Sequence, residues 1–115
     1  MTDPYGVLDL TRKLGREPNI DTALHILQWE LGDLAKSHTY AKWHPDLAIA
    51  YKAEAKKALS DLLFQVHVIA ALLDVSPGGL LDDGIETVKD RIRDKEEKIG
   101  RFQSYVGEEK HDQKA

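Results

Sequence analysis

Residues 54–73 read EAKKALSDLLFQVHVIAALL, and the fold follows from how this stretch is read. Its second half is apolar on nearly every side, through Leu62, Leu63, Phe64, Val66, Val68, Ile69, Ala70, Ala71, Leu72 and Leu73. A helix that is hydrophobic all round is expected to be buried all round. A small chain has few elements to cover it, so a partner subunit is the expected cover. Asp61 stands at the mouth of this run, where the pattern would accept another leucine. A buried carboxylate is costly unless it is paired, hydrogen-bonded or metal-bound, so a functional site is expected there.

Outward from this stretch, periodicity predicts helices throughout. A short first helix is expected over 3–14, with Asp3 as N-cap and Pro4 at its first position. Gly15 and Pro18 end it. A second helix is expected over 22–42 from an N-cap at Asp21, with Leu24, Leu27, Leu31 and Leu34 forming a stripe against a packed neighbour. Pro45 disfavours helical geometry at His44, and a third, long helix should run from Asp46 to about Asp74. The segment 76–79, SPGG, breaks the chain, with Ser76 as cap and Pro77 behind it. A last helix is expected over 80–105, with Ile85, Val88, Ile92, Ile99 and Phe102 in a 3-4 alternation and Lys95 replacing an apolar residue at one step. These helices are expected to form a single all-α domain over 1–106, followed by a disordered polar tail at 107–115.

Composition narrows the function classes. The chain has 115 residues, 42% apolar and 31% charged, with a formal net charge of −4 and no cysteine. This suits one domain. It excludes disulfides and thiolate metal sites and gives no basic footprint for nucleic acid. The first residues carry no basic, then apolar, leader pattern, and Gln65 and His67 interrupt the longest apolar run. We therefore expect a soluble cytoplasmic protein with no membrane partner. No Gly-rich phosphate loop or Ser-His-Asp set is present. His67 reads as a core or interface histidine, and His25, His38 and His44 lack ligand spacing.

The acids carry the chemistry. Glu30 and Asp33 are roughly 60° apart on the second helix and can point at one object. With Asp61 from the next helix they could form a hard-oxygen cluster, whose members would repel one another without a cation. Carboxylate ligands without thiolates point to Mg²⁺, or Mn²⁺, and so to a phosphate-bearing substrate.

Trp29-Glu30-Leu31-Gly32-Asp33-Leu34-Ala35, followed by Leu59-Ser60-Asp61-Leu62-Leu63-Phe64-Gln65-Val66, resembles the MazG-like all-α nucleoside triphosphate pyrophosphohydrolases over about residues 10–102. That family carries E-x-x-E on one helix and E-x-x-D on the next long one. The resemblance implies a four-helix bundle with a short first helix, two long central helices and an amphipathic last helix. It implies a homodimer or a homotetramer built as a dimer of dimers. It also implies Mg²⁺-dependent conversion of a (d)NTP to (d)NMP and pyrophosphate. Glu30 matches the first acid of E-x-x-E, Asp33 the second with a shorter side chain, and Asp61 the acid that ends E-x-x-D. These three are the expected catalytic and metal-binding residues. Ala58 stands where the other glutamate of E-x-x-D is expected, Lys57 precedes it, and Trp29 replaces a common acid. Glu54, one turn before Ala58 on about the same face, is the candidate fourth metal ligand. Lys89, Arg91, Arg93, Lys98 and Arg101 are candidate phosphate contacts. The alternative expectation is a catalytically degenerate helical dimer that binds nucleotide or metal, or acts as an interaction module.

Overall fold

A computed structural model describes the backbone of residues 3–113 and the side chains of residues 3–106. Among the described residues the architecture is all-α, with four helices: α1 (Val7–Lys13), α2 (Ile20–Trp43), α3 (Ala48–Leu72) and α4 (Pro77–Gln113). A single 3₁₀ turn, Pro45–Leu47, joins α2 to α3. The chain divides into two compact units, Met1–Pro77 and Gly78–Ala115. Among the described residues, no single helix is long and apolar enough to cross a membrane.

In the first unit the helix ends differ from the sequence reading by a few residues, each for a local reason. Residues 3–6 form a turn closed by the Gly6 N–H donating to the Asp3 carbonyl at 3.2 Å, with Pro4 favouring the bend. Gly6 then takes φ +66°, a left-handed conformation that glycine adopts without steric cost. The helix therefore starts at Val7 and not at Pro4. Asp3 still caps it: its carboxylate accepts from the Val7 N–H at 2.8 Å and the Leu8 N–H at 3.1 Å. On α2 the cap is Asn19, whose side chain accepts from the Thr22 N–H at 2.8 Å. Asp21 lies inside the first turn, where its charge complements the helix N-terminus.

Helices α1 and α3 end in the same way. Gly15, at φ +88°, donates to the Arg12 carbonyl, and Arg16 donates back to Thr11. After α3, Asp74 takes φ 56° and donates to Ala71, while Val75 donates to Ala70 at 2.9 Å. Both pairs are Schellman closures, which satisfy the last free carbonyls of a helix.

Helices α2 and α3 form the principal packing pair, and α1 packs on α3. The short connection returns α3 antiparallel to α2: Tyr40 meets Tyr51 with ring centroids 5.8 Å apart, whereas Ala23 clusters with Val68 and Ala71 at the far end. The core joins Val7 and Leu8 of α1, Ala23 of α2, and Val68 and Ala71 of α3, with Phe64, Ile69 and Leu72 packed around it.

The leucine stripe of α2 does not lie on this seam. Ala23 and Ser37 are its buried positions, Leu27 and Leu34 are half-buried, and Leu24 and Leu31 are exposed. Ala23, Glu30 and Ser37 recur at seven-residue spacing, and Leu24 and Leu31 lie roughly 80–100° round the helix from them. Small residues win the seam: Ala23, Ser37, Ala58, Ala70 and Ala71 are all buried. Within the apolar run of α3, Val68, Ala70 and Ala71 are buried, while Leu63, Val66 and Leu73 are exposed in the single chain. The expectation of burial on every side therefore holds for only part of the run.

The second unit holds α4, which runs as one helix from Pro77 to Gln113. It begins three residues before the expected start because Pro77 is itself the first helical residue, a position proline favours. The tail expected at 107–115 falls where side chains are not described, and residues 114–115 lie outside the described residues.

Candidate functional site

Antiparallel packing of α2 on α3 places two i, i+3 sets opposite each other. One cleft, about 390 Å³ in volume, is lined by Glu30, Asp33, Lys36 and Ser37 from α2 and by Glu54, Lys57, Ala58 and Asp61 from α3. Glu30 lies toward Asp61, and the later α2 positions lie toward Glu54, because the helices run in opposite directions. All four acids singled out in the sequence therefore line one wall system. Glu30 and Asp61 are half-buried, while Asp33, Glu54, Lys36 and Lys57 are exposed.

The electrostatics follow from this arrangement. The Glu30 carboxyl is raised above its ordinary value of 4.5, first by burial, then by the negative charges of Asp61 and Asp33, with Lys57 acting in the opposite direction. Four carboxylates against two lysines leave two negative charges in the cleft when all six groups are ionised. Like charges gathered at a partly buried position disfavour ionisation. A divalent cation would relieve that repulsion, and a donor set of carboxylate oxygens with no thiolate or imidazole suits Mg²⁺ or Mn²⁺. Among the described residues, no three Asp, Glu or His side chains converge closely enough to hold an ion as they stand.

Ala58 is 3% exposed in the cleft wall. The position where the resemblance expects a glutamate therefore lies in the cleft wall and offers no side-chain oxygen. Glu54, one turn away, reaches the same cleft. Lys36 and Lys57 were missed by the sequence reading, which sought cations on the last helix. Their signal was available: Lys36 is three residues after Asp33, and Lys57 lies between Glu54 and Asp61 at spacings of three and four, so each shares a helix flank with acids. Lys36 also sits 5.6 Å from the Tyr40 ring centroid, at the edge of an aromatic group that includes Trp43. Of the five basic candidates on α4, Lys89 pairs with Glu86 and Arg93 pairs with Asp90.

His67 is accounted for locally. Its Nδ1–H donates to the Leu63 carbonyl at 2.9 Å, and its ring meets the Tyr5 ring edge-on at 5.3 Å. The opposite face of the α2–α3 hairpin is apolar. A groove of about 470 Å³ there is bounded by Leu31, Leu34, His38, Tyr51 and Ala55, among others, and Leu24, Leu59 and Val66 are exposed.

The raised Glu30 carboxyl has a pH consequence. Folded chain holds this proton more tightly than unfolded chain, so stability should fall as pH rises from about 4.5 through the higher folded value. In urea melts at low salt with chelator present, the wild-type midpoint is expected to decline across that window. Glu30→Gln should lack that component of the decline, and Mg²⁺ should raise the wild-type midpoint at neutral pH. Identical pH profiles for the two proteins would contradict the repulsion described here.

No family model matches this chain, and neither the curated proteins nor the solved structures contain a match to it.

Proposed function

We propose that this chain is a MazG-like, Mg²⁺-dependent nucleoside triphosphate pyrophosphohydrolase that converts a (d)NTP to (d)NMP and pyrophosphate. The observation that carries this reading is that Glu30, Asp33, Glu54 and Asp61 line one cleft together with Lys36 and Lys57. Glu30, Asp33 and Asp61 would hold the cation, with Glu54 reaching in from the preceding turn of α3. Mg²⁺ or Mn²⁺, when bound, would offset the charge of the triphosphate. Lys36 and Lys57 are flexible enough to follow phosphate oxygens at the cleft edge. A water held by one of these carboxylates would attack phosphorus and pass its proton to that carboxylate. The remaining contribution of the protein is positioning.

In this reading the helices form a MazG-type bundle that assembles as a homodimer or a dimer of dimers. The exposed Leu24, Leu31, Leu59 and Val66 on the face opposite the acids supply an apolar surface for that assembly.

A second reading has one specific observation in its favour. Ala58 is buried in the cleft wall and supplies no ligand there, so the chain could bind metal or nucleotide without turnover. One experiment separates the two: a (d)NTP panel with Mg²⁺ or Mn²⁺, scored for pyrophosphate and for nucleotide binding. Pyrophosphate release by wild-type protein supports the enzyme. Binding without release supports the degenerate site, and Ala58→Glu should then raise turnover from baseline by at least about tenfold. Neither binding nor release would sink both.

A further inference from the structure

The flank of α2 that carries Asp33 and Lys36 continues past the acid cleft. Trp29, Asp33, Lys36, Tyr40 and Trp43 follow spacings of 4, 3, 4 and 3, which keeps them on one side of the helix. Lys36 belongs to two neighbourhoods at once. It lines the cleft with the four acids, and its ammonium lies 5.6 Å from the Tyr40 ring centroid. Tyr40 is the hub of an aromatic cluster where α2 turns into α3. Its ring stands 5.7 Å from Trp43, tilted by 35°, 5.8 Å from Tyr51 and 6.5 Å from His44. The Tyr40–Tyr51 pair joins the two helices, and both residues are half-buried. Trp43 adds little to that closure: it is 67% exposed, so most of its surface meets solvent.

On the triphosphate reading of the cleft, on which this inference rests, we propose that Trp43, steadied by Tyr40, is the stacking platform for the nucleobase. The platform takes any base by its ring face and discriminates little between bases. The order of residues along α2 aims the substrate this way. Both lysines of the helix, Lys36 and Lys42, follow the acids. A phosphate chain running from Glu30 and Asp33 to Lys36 therefore points its nucleoside toward Tyr40. Trp43 is seven residues beyond Lys36, two turns and about 10 Å along the axis, within the span of a ribose and base. Trp29, also exposed, precedes the acids, where no α2 lysine leads the phosphates. Stacking is tolerant because every base has a π-face. Strong selection among bases needs buried polar groups that the wrong base leaves unpaired. Among the described residues, the fully buried polar side chain is Ser37. It lies in the cleft wall, on the phosphate side of Tyr40, and His44 is exposed.

The test uses the full chain and two probes in the presence of Mg²⁺. One is an ATP analogue with a methylene bridge between its α and β phosphorus atoms, which resists cleavage there. The other is inorganic tripolyphosphate, which lacks a nucleoside. The chain has two tryptophans, so Trp29→Phe leaves the fluorescence of Trp43 alone. The analogue should quench it, and tripolyphosphate should not. Trp43→Ala should weaken binding of the analogue by at least about fivefold and leave the affinity for tripolyphosphate unchanged. Trp43→Phe should recover most of the loss, because the smaller ring still stacks. Methylene-bridged analogues of the four common bases should differ in affinity by less than about 100-fold. Three results overturn the proposal while leaving the hydrolase reading in place if pyrophosphate is released. They are quenching of Trp29 instead of Trp43, an analogue affinity unmoved by Trp43→Ala, and a wider preference among bases. Should Trp43→Ala fail to fold, the quenching in Trp29→Phe decides. Wild-type protein that binds neither probe removes both readings together.

Discussion

In the proposed enzyme, Asp61→Asn is expected to lower pyrophosphate release by more than about 100-fold, the cost of removing one of the proposed metal ligands where even supporting residues cost 10- to 100-fold. The substitution keeps the shape of the side chain and removes one charge. Asp61 is half-buried in the cleft and is one of the two carboxylates that raise the Glu30 value. Removing it relieves repulsion, so the urea midpoint at neutral pH should stay level or rise. Loss of activity with retained or improved stability is the signature of an acid kept for chemistry at the expense of the fold. The Glu30 carboxyl should also move back toward its ordinary value, which carbon-detected NMR titration of the side chain can read. Turnover at the wild-type level in Asp61→Asn would remove the carboxylate cleft from the reaction.

The largest structural effect is expected at Val68. This side chain is 1% exposed and lies where α1, α2 and α3 meet, in the cluster formed with Val7, Leu8, Ala23 and Ala71. Val68→Asp places a carboxylate among these apolar groups, and an uncompensated buried charge costs roughly 3–5 kcal/mol. That approaches the whole stability of a small domain. The milder Val68→Ala leaves a cavity and should cost about 2 kcal/mol. Urea denaturation followed by circular dichroism should show an intact but shifted transition for Val68→Ala and little or no cooperative transition for Val68→Asp. Equal, small shifts for both would mean that α1 does not close over this point.

The second prediction concerns a residue whose burial sequence analysis anticipated, as one member of an apolar run. Its neighbours in that run fare differently. Leu63 and Val66 are exposed on one side of α3, whereas Val68, Ala70 and Ala71 are buried. A run that is apolar on every side carries no phase, so it cannot indicate which side meets its own chain. The leucines of α2 do carry a phase, and it pointed away from the seam. Leu24 and Leu31 face outward while Ala23 and Ser37 pack inward. Close helix approach selects small residues, and a count of large apolar groups overlooks them.

Of the candidate acids, Glu30 and Asp33 share a flank by their spacing on one helix. Asp61 stands out as a carboxylate within an apolar run, and Glu54 enters because the family resemblance leaves a gap at Ala58. That all four line one cleft depends on the packing of α2 on α3. Lys36 and Lys57 satisfy the same spacing rule, but only the packing of α2 on α3 brings them to the same cleft as the acids. Ala58 was recognised as a gap, but its near-complete burial in the cleft wall depends on the neighbouring helix.

The amino-acid sequence by itself determined that this protein is helical, roughly where each helix lies, and which acids share a face, since periodicity and spacing are local properties of a helix. Tertiary structure alone decided which face of α2 meets α3, and therefore that the four acids and two lysines enclose one cleft while the leucines stand opposite. The physical reason is that helical geometry sets the angles between residues on one helix. Their orientation toward a second helix is set by the packing of the whole pair, where small side chains and close backbone approach outweigh the local apolar stripe.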